Sequence, residues 1–426
     1  MRSISNIVNN MNPRTPWLVL YIFVNIYAAF FIFNTKELMG DVSYVTLYSD
    51  NALLYATAIV VLSYLFISVF VFNFIVKIKV KAINFGHKST GIGKQIGILL
   101  IFLQIAFMAF NFLTGVNVGG SRLTRTTDSP LAMIWVLIPV DILFVIYYGM
   151  YRESKYFYPN LIVFVISQVS RGWVGNFMVI IFFEWCRLVR RRKIKAIPLL
   201  FAGLIILILY PLLTSLKWAI RASAANVVSA TGILERMSDF LKAADFFSIV
   251  SSGINHLIGR LQLTSMMVEV IRLRDTLQTG FENGDFYPFW MEGLHGIFFD
   301  KLFHGEKIMN IGVAFTMYED FWGKVFDVGS YNVSLGYASW FFITPYLAPF
   351  YVIYTLLLGF VSYFLVKKIG ISELSEDMLW FYWLGLLLAG WLAVFVTFIY
   401  ALLLFLIIKI IFSWLPTFRF WPNATH

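Results

Sequence analysis

The chain has 426 residues, 60% of them hydrophobic and 13% charged, and 33 basic against 23 acidic side chains give a net charge of +10. Soluble domains carry roughly 45–50% apolar and about 25% charged residues, so a mean hydropathy of +0.78 excludes an ordinary soluble globular protein. The basic residues stand in short clusters between apolar runs, which is a membrane-topology signal, and no nucleic acid is expected as a partner.

A spanning helix needs about 20 apolar residues. The first such run, Trp17 to Phe33, has charged flanks but no small-residue cleavage site after it, and reads as a retained helix. Further runs lie near 52–76, 96–115, 130–149, 196–214, 345–366 and 393–413. Residues 157–186 carry Arg171 in mid-run and are expected to split into two short helices meeting at Ser170-Arg171-Gly172. Residues 378–413 are too long for one span and are expected to split near Gly390-Trp391. The expectation is an all-α polytopic membrane protein of about ten transmembrane helices.

Lys77, Lys79, Lys81, Lys88 and Lys94 fall in one loop, Arg187 to Lys195 in another, and Lys367 and Lys368 follow a later helix. All three clusters lie on one side if both termini are cytoplasmic. The chain then divides into an N-terminal bundle (1–214), a large outer loop (215–342) and C-terminal helices (343–426). The outer loop, about 125 residues, is far longer than an ordinary connection. Leu234, Met237, Phe240, Leu241 and Ala244 recur in it at helical spacing, and residues 257–274 read similarly. These are expected to be amphipathic helices on or in the outer interface.

Arg171 is the sharpest single residue, because an arginine inside an apolar stretch is costly and by default functional. It reads as a receptor for a phosphate-like anion, against the plain alternative of a side chain reaching for lipid headgroups. Arg260, Arg221 and Arg272 extend the same idea along the outer loop, with Arg274 beside them. His256, His295 and His304 share that loop with Glu292, Asp300, Glu306, Glu319 and Asp320, any of which could accept a proton. No His-x-x-x-His or Cys-x-x-Cys spacing occurs, so no metal and no cofactor are expected. Cys186 is the only cysteine, which rules out a disulfide within the chain. Asp141, inside an apolar run, reads as an interior polar contact or a proton-coupling group.

Three motifs carry a resemblance. They are Val169-Ser170-Arg171-Gly172 between two short helices, the segment Ile258 to Met267 around Arg260-Leu261, and the run Ser330 to Phe341 before the next span. With the overall topology, they make the chain similar to bacterial oligosaccharide repeat-unit polymerases, the Wzy family of O-antigen and capsule assembly, related to O-antigen ligases. The third motif departs from the family's Asn-Ser form, reading Asn332-Val333-Ser334. The resemblance implies a GT-C-like, multi-pass enzyme of the bacterial inner membrane, with its large loop in the periplasm. It implies undecaprenyl-pyrophosphate-linked glycans and membrane lipids as partners, and a chain-length-regulating membrane protein as another. The growing glycan would pass as a block to the terminal sugar of a second lipid-linked unit, without a metal. Arg171, Arg260, Arg221 and Arg272 would then hold the pyrophosphate, and His304, Asp300 or His295 would take the acceptor's proton. The rivals are an O-antigen ligase, which shares the topology, a flippase for lipid-linked sugars, and a non-catalytic scaffold.

Overall fold

The computed structural model describes residues 11–83, 89–114, 134–135, 137–173, 175–192, 210, 213–214, 246–296, 299, 309–318, 333–370 and 373–414. They are mostly helical, and the β-type pairings recorded among them are two isolated bridges, Glu37 with Thr46 and Phe286 with Met309.

α1 (Thr15–Thr35) starts on Pro16 and stops where Lys36 turns left-handed, its N–H closing on the Ile32 carbonyl. α2 (Asp50–Val76) is capped by the Ser49 hydroxyl and carries a π-helical segment, Phe66–Val71. α3 (Ser89–Thr114) follows a basic loop. α4 (Val140–Tyr151) begins behind Pro139, so the expected run 130–149 is not one helix. α5 (Phe157–Ser170) and α6 (Asn176–Arg190) are separated at Arg171-Gly172, where Gly172 takes φ +69°. After α7 (Phe246–Leu261), α8 (Thr264–Arg272), α9 (Arg274–Asn283) and α10 (Ile311–Tyr318), the chain enters α11 (Ala348–Ile369). α12 (Glu373–Tyr382) continues as a π-helical segment, Trp383–Leu387, and turns at Gly390 (φ +82°) into α13 (Leu392–Trp414). Both expected splits, at 170–172 and at 390–391, are therefore present.

Among the described residues five stretches are long and apolar enough to cross a membrane: Thr15–Thr35, Asp50–Val76, Gly91–Thr114, Pro345–Ile369 and Leu392–Trp414. Their outward side chains confirm the solvent, for Phe30, Leu54, Phe74 and Phe112 are 68–84% exposed. A water-soluble monomer does not present such a belt. The protein is a helical membrane protein. The expected span 196–214 and the 234–244 helix lie almost wholly outside the described residues.

Helix ends from distant parts of the chain meet in polar clusters. At one end, Asp377 at the start of α12 is fully buried between Arg14 (2.7 Å) and Arg190 (2.7 and 2.8 Å). Trp185 of α6 donates to the Pro13 carbonyl there, and Tyr363 of α11 to the Val76 and Ile78 carbonyls at the end of α2. This basic end also gathers Arg152, Arg187 and Lys367. α1 and α2 pack on each other and on α8, while α3 packs on α4, α5 and α13, and α11 packs on α13. The core between them is aromatic, with Phe144, Phe157, Phe164, Phe182, Trp340 and Trp383 all buried.

The opposite end departs from the sequence expectation. Residues 257–274 are not one amphipathic surface helix. The helix breaks at Gln262-Leu263, and α8 is inserted against α1 and α2 with Thr264 to Val270 all buried. The Asn25 side-chain oxygen, in the middle of α1, accepts from the N–H groups of Leu263 (2.8 Å) and Thr264 (3.2 Å) and from the Thr264 hydroxyl (3.1 Å). These are donors that a helix start otherwise leaves orphaned. α8 owes its place to that cap, which belongs to another helix.

Candidate functional site

The end opposite the basic one is where the chain brings its unusual polar groups to membrane depth. α5 has 14 residues and α6 has 15, or about 21 and 22 Å at 1.5 Å per residue. A hydrocarbon core is about 30 Å thick. Both helices begin or end at the basic end, and each is shorter than a full crossing, with Arg171 at their reversal.

Arg171 is 4% exposed. Its Nη2 donates to both Asp141 oxygens, at 2.9 and 2.7 Å, its Nε donates to the Ser167 carbonyl at 3.0 Å, and the guanidinium lies 4.9 Å from the Phe107 ring centre. Asp141 thus holds the arginine in one orientation. Nη1 makes no hydrogen bond among the described residues, and it is the edge through which an anion could share the guanidinium with Asp141.

A second reversal meets the 333–341 run. Gly336 N–H donates to the Ala389 carbonyl (3.1 Å) and Tyr337 N–H to that of Leu388 (2.9 Å), while the Ser334 hydroxyl also bonds Ala389. The backbones touch so closely that a Cβ on Gly390 would lie 2.7 Å from the Gly336 nitrogen. The segment that resembled the family's loop-end motif is packed onto the α12–α13 turn.

The other arginines sit elsewhere. Arg260, at the end of α7, pairs with Asp41 (2.9 Å), and Arg272 with the buried Glu269 (2.7 Å). Gly40 and Gly259 let the 36–46 loop lie directly on α7, for a Cβ on Gly259 would fall 2.8 Å from the Gly40 Cα. Gln262 and Ser265 stitch the same loop through Met39. Arg260 and Arg272 therefore belong to the α1–α2–α7–α8 group, and Arg171 to the α3–α4–α5 group. Arg221, Asp300 and His304 lie outside the described residues.

His295 Nε2 is 2.5 Å from the Trp290 carbonyl oxygen, in the turn that also carries Glu292. Glu292 was one acid among several in the sequence. In the structure it stands apart, 4% exposed and with Oε1 lacking any hydrogen bond. Burial pushes its carboxyl from 4.5 up to about 8, and a hydrogen bond from the Ile311 N–H only partly offsets that. The tyrosines Tyr351 and Tyr354 of α11 face it. A carboxyl poised near neutrality is suited to taking and returning a proton. Asn25 was overlooked as well, and its signal was a lone carboxamide within an apolar run.

Among the described residues no group of three or more histidine, cysteine or acidic side chains is placed to hold a metal ion. No family model, no curated protein and no solved structure matches this chain.

Proposed function

We propose that this protein polymerises lipid-linked oligosaccharide repeat units at the outer face of the bacterial inner membrane, as an integral enzyme of about ten spans with both termini inside. The observation that carries the proposal is Arg171, a buried arginine fixed by Asp141 at the reversal between two short apolar helices. A charge kept at such depth by a dedicated partner is expensive to maintain and marks a working site.

In the proposed reaction the acceptor sugar's hydroxyl oxygen attacks the anomeric carbon of the donor glycan. The bond from that carbon to the pyrophosphate oxygen breaks, and undecaprenyl pyrophosphate leaves with the bonding electrons. Negative charge grows on the leaving oxygen, and a preorganised guanidinium in a water-poor site stabilises it. Arg171 does this first, with Arg260, Arg272 and Arg221 along the path of the pyrophosphate. The hydroxyl proton goes to a base of the 292–304 segment, where Glu292, His295, Asp300 and His304 are the groups to replace one at a time.

The test is complementation of a polymerase-deleted strain that makes the matching repeat unit, read as a lipopolysaccharide ladder at equal membrane levels of each variant. Wild type is expected to restore long chains. Arg171→Lys is expected to cut polymer at least tenfold, because an ammonium cannot hold Asp141 and an anion in one plane. An unchanged band of core plus one unit with wild type overturns the proposal. Long chains with Arg171→Ala remove Arg171 from it.

A further inference from the structure

A cleft of ≈ 630 Å³ opens at the basic end, bounded by the start of α3, the α4–α5 turn, the end of α6 and Leu374 of α12. Six cations line it, Lys94, Arg152, Lys155, Arg187, Arg190 and Arg191, against one carboxylate, Glu153. Two further carboxylates reach the arginines from behind. Glu184 binds Arg152 (2.7 Å) and Arg187 (2.8 Å), and Asp377 binds Arg190 (2.7 Å). Glu153 is shared by Arg191 (2.5 Å) and Arg187 (3.7 Å). Lys94 and Lys155 have no carboxylate partner among the described residues. The arginines are thus held in place by acids, and the two lysines supply uncompensated charge.

The floor is apolar and close-fitting. A Cβ at Gly93 would fall 2.6 Å from the Tyr151 ring. At the rim the Arg152 guanidinium lies over Phe157 (4.1 Å) and Tyr158 (5.0 Å). From there Tyr158, Ile162 and Ile166, spaced four apart on α5, form one exposed apolar stripe running away from the cleft along the spanning direction. Charge in the cleft and a hydrocarbon track leaving its edge fit one molecule with an anionic phosphate head and an acyl tail.

The geometry points to a binding site for an anionic phospholipid, its phosphodiester between Lys94 and Lys155 and one acyl chain along Tyr158, Ile162 and Ile166. Basic pockets between helices at the cytoplasmic side recognise such headgroups. The site is separate from Arg171, which lies at the other end of α5, and it holds whether or not the polymerase proposal does. A general attraction of basic residues to an anionic leaflet would treat every lysine at this end alike, whereas a built cleft does not.

The experiment uses the full chain, delipidated in a neutral detergent and titrated under native mass spectrometry with dioleoyl phosphatidylglycerol, dioleoyl phosphatidylcholine and inorganic phosphate. Phosphatidylglycerol is expected to bind at least tenfold more tightly than phosphatidylcholine. Lys94→Gln with Lys155→Gln is expected to abolish that preference. Lys79→Gln with Lys81→Gln removes equal charge from exposed positions outside the cleft and is expected to leave it. Equal affinity for the two lipids, equal loss in both double variants, or inorganic phosphate displacing the lipid at micromolar concentration each overturns the assignment.

Discussion

At Arg171 the cost of burying a charge is met by a bidentate partner 30 residues earlier in the chain. Removing one member of such a pair strands the other, at about 3–5 kcal/mol, whereas replacing both with apolar residues is often neutral. Arg171→Met and Asp141→Leu are each expected to lower the detergent melting temperature, and the double variant to recover most of it. Polymer formation should stay lost in the recovered double variant, which separates the anion-site role from a purely structural one. Glu292 has the opposite arithmetic. Its folded carboxyl titrates near 8 and its unfolded one near 4.5, so the folded state holds a proton that the unfolded state has released. Stability therefore falls as pH rises from about 4.5 to about 8, by on the order of 5 kcal/mol at most. Glu292→Gln should melt higher than wild type at pH 8 and equally at pH 4, in parallel thermal scans. A steeper pH dependence in the variant would sink this account.

At the scale of elements, the reversals were legible and the insertion was not. An arginine and a glycine in mid-run announced the α5–α6 turn, and excess length with Gly390 announced the turn before α13. Both signals are local. α8 was hidden because its polar residues look like the wet face of a surface helix, yet partners far off in sequence satisfy them. Asn25 caps its start, the Met39 N–H donates to Ser265, and Arg272 pairs with Glu269. The Arg171–Asp141 pairing was equally invisible, since nothing in either apolar run specifies which neighbour it packs against. Two substitutions test the insertion. Asn25→Leu leaves two N–H groups without their acceptor and should cost about 3 kcal/mol. Gly259→Val drives a side chain into the Gly40 backbone and should cost about 1–3 kcal/mol. Both should loosen the 36–46 loop in hydrogen exchange while leaving α11 and α13 protected. Uniform loss of protection would mean that α8 is not a separable insertion.

On the scale of the whole molecule, the helix ends sort into two sets, one holding Asp377 and the basic cluster, the other holding Arg171, Arg260 and Glu292. The sole cysteine, Cys186, is fully buried, so single introduced cysteines can be labelled against a silent background. In intact cells Ser43→Cys is expected to react with a membrane-impermeant maleimide, and Lys79→Cys only after permeabilisation. The reverse pattern would invert the proposed orientation. The Asn25 cap has a consequence for how the protein is made. Its acceptor oxygen leaves the ribosome 238 residues before the Leu263 N–H that it binds. At about 5–20 residues per second that is roughly ten to fifty seconds of synthesis. Through that interval the carboxamide's nitrogen is occupied by its own Tyr21 carbonyl (2.8 Å), and its oxygen waits inside a newly inserted hairpin. The first two spans therefore enter the bilayer before α8 exists, and completion of α8 is the event that gives the Asn25 oxygen its partners.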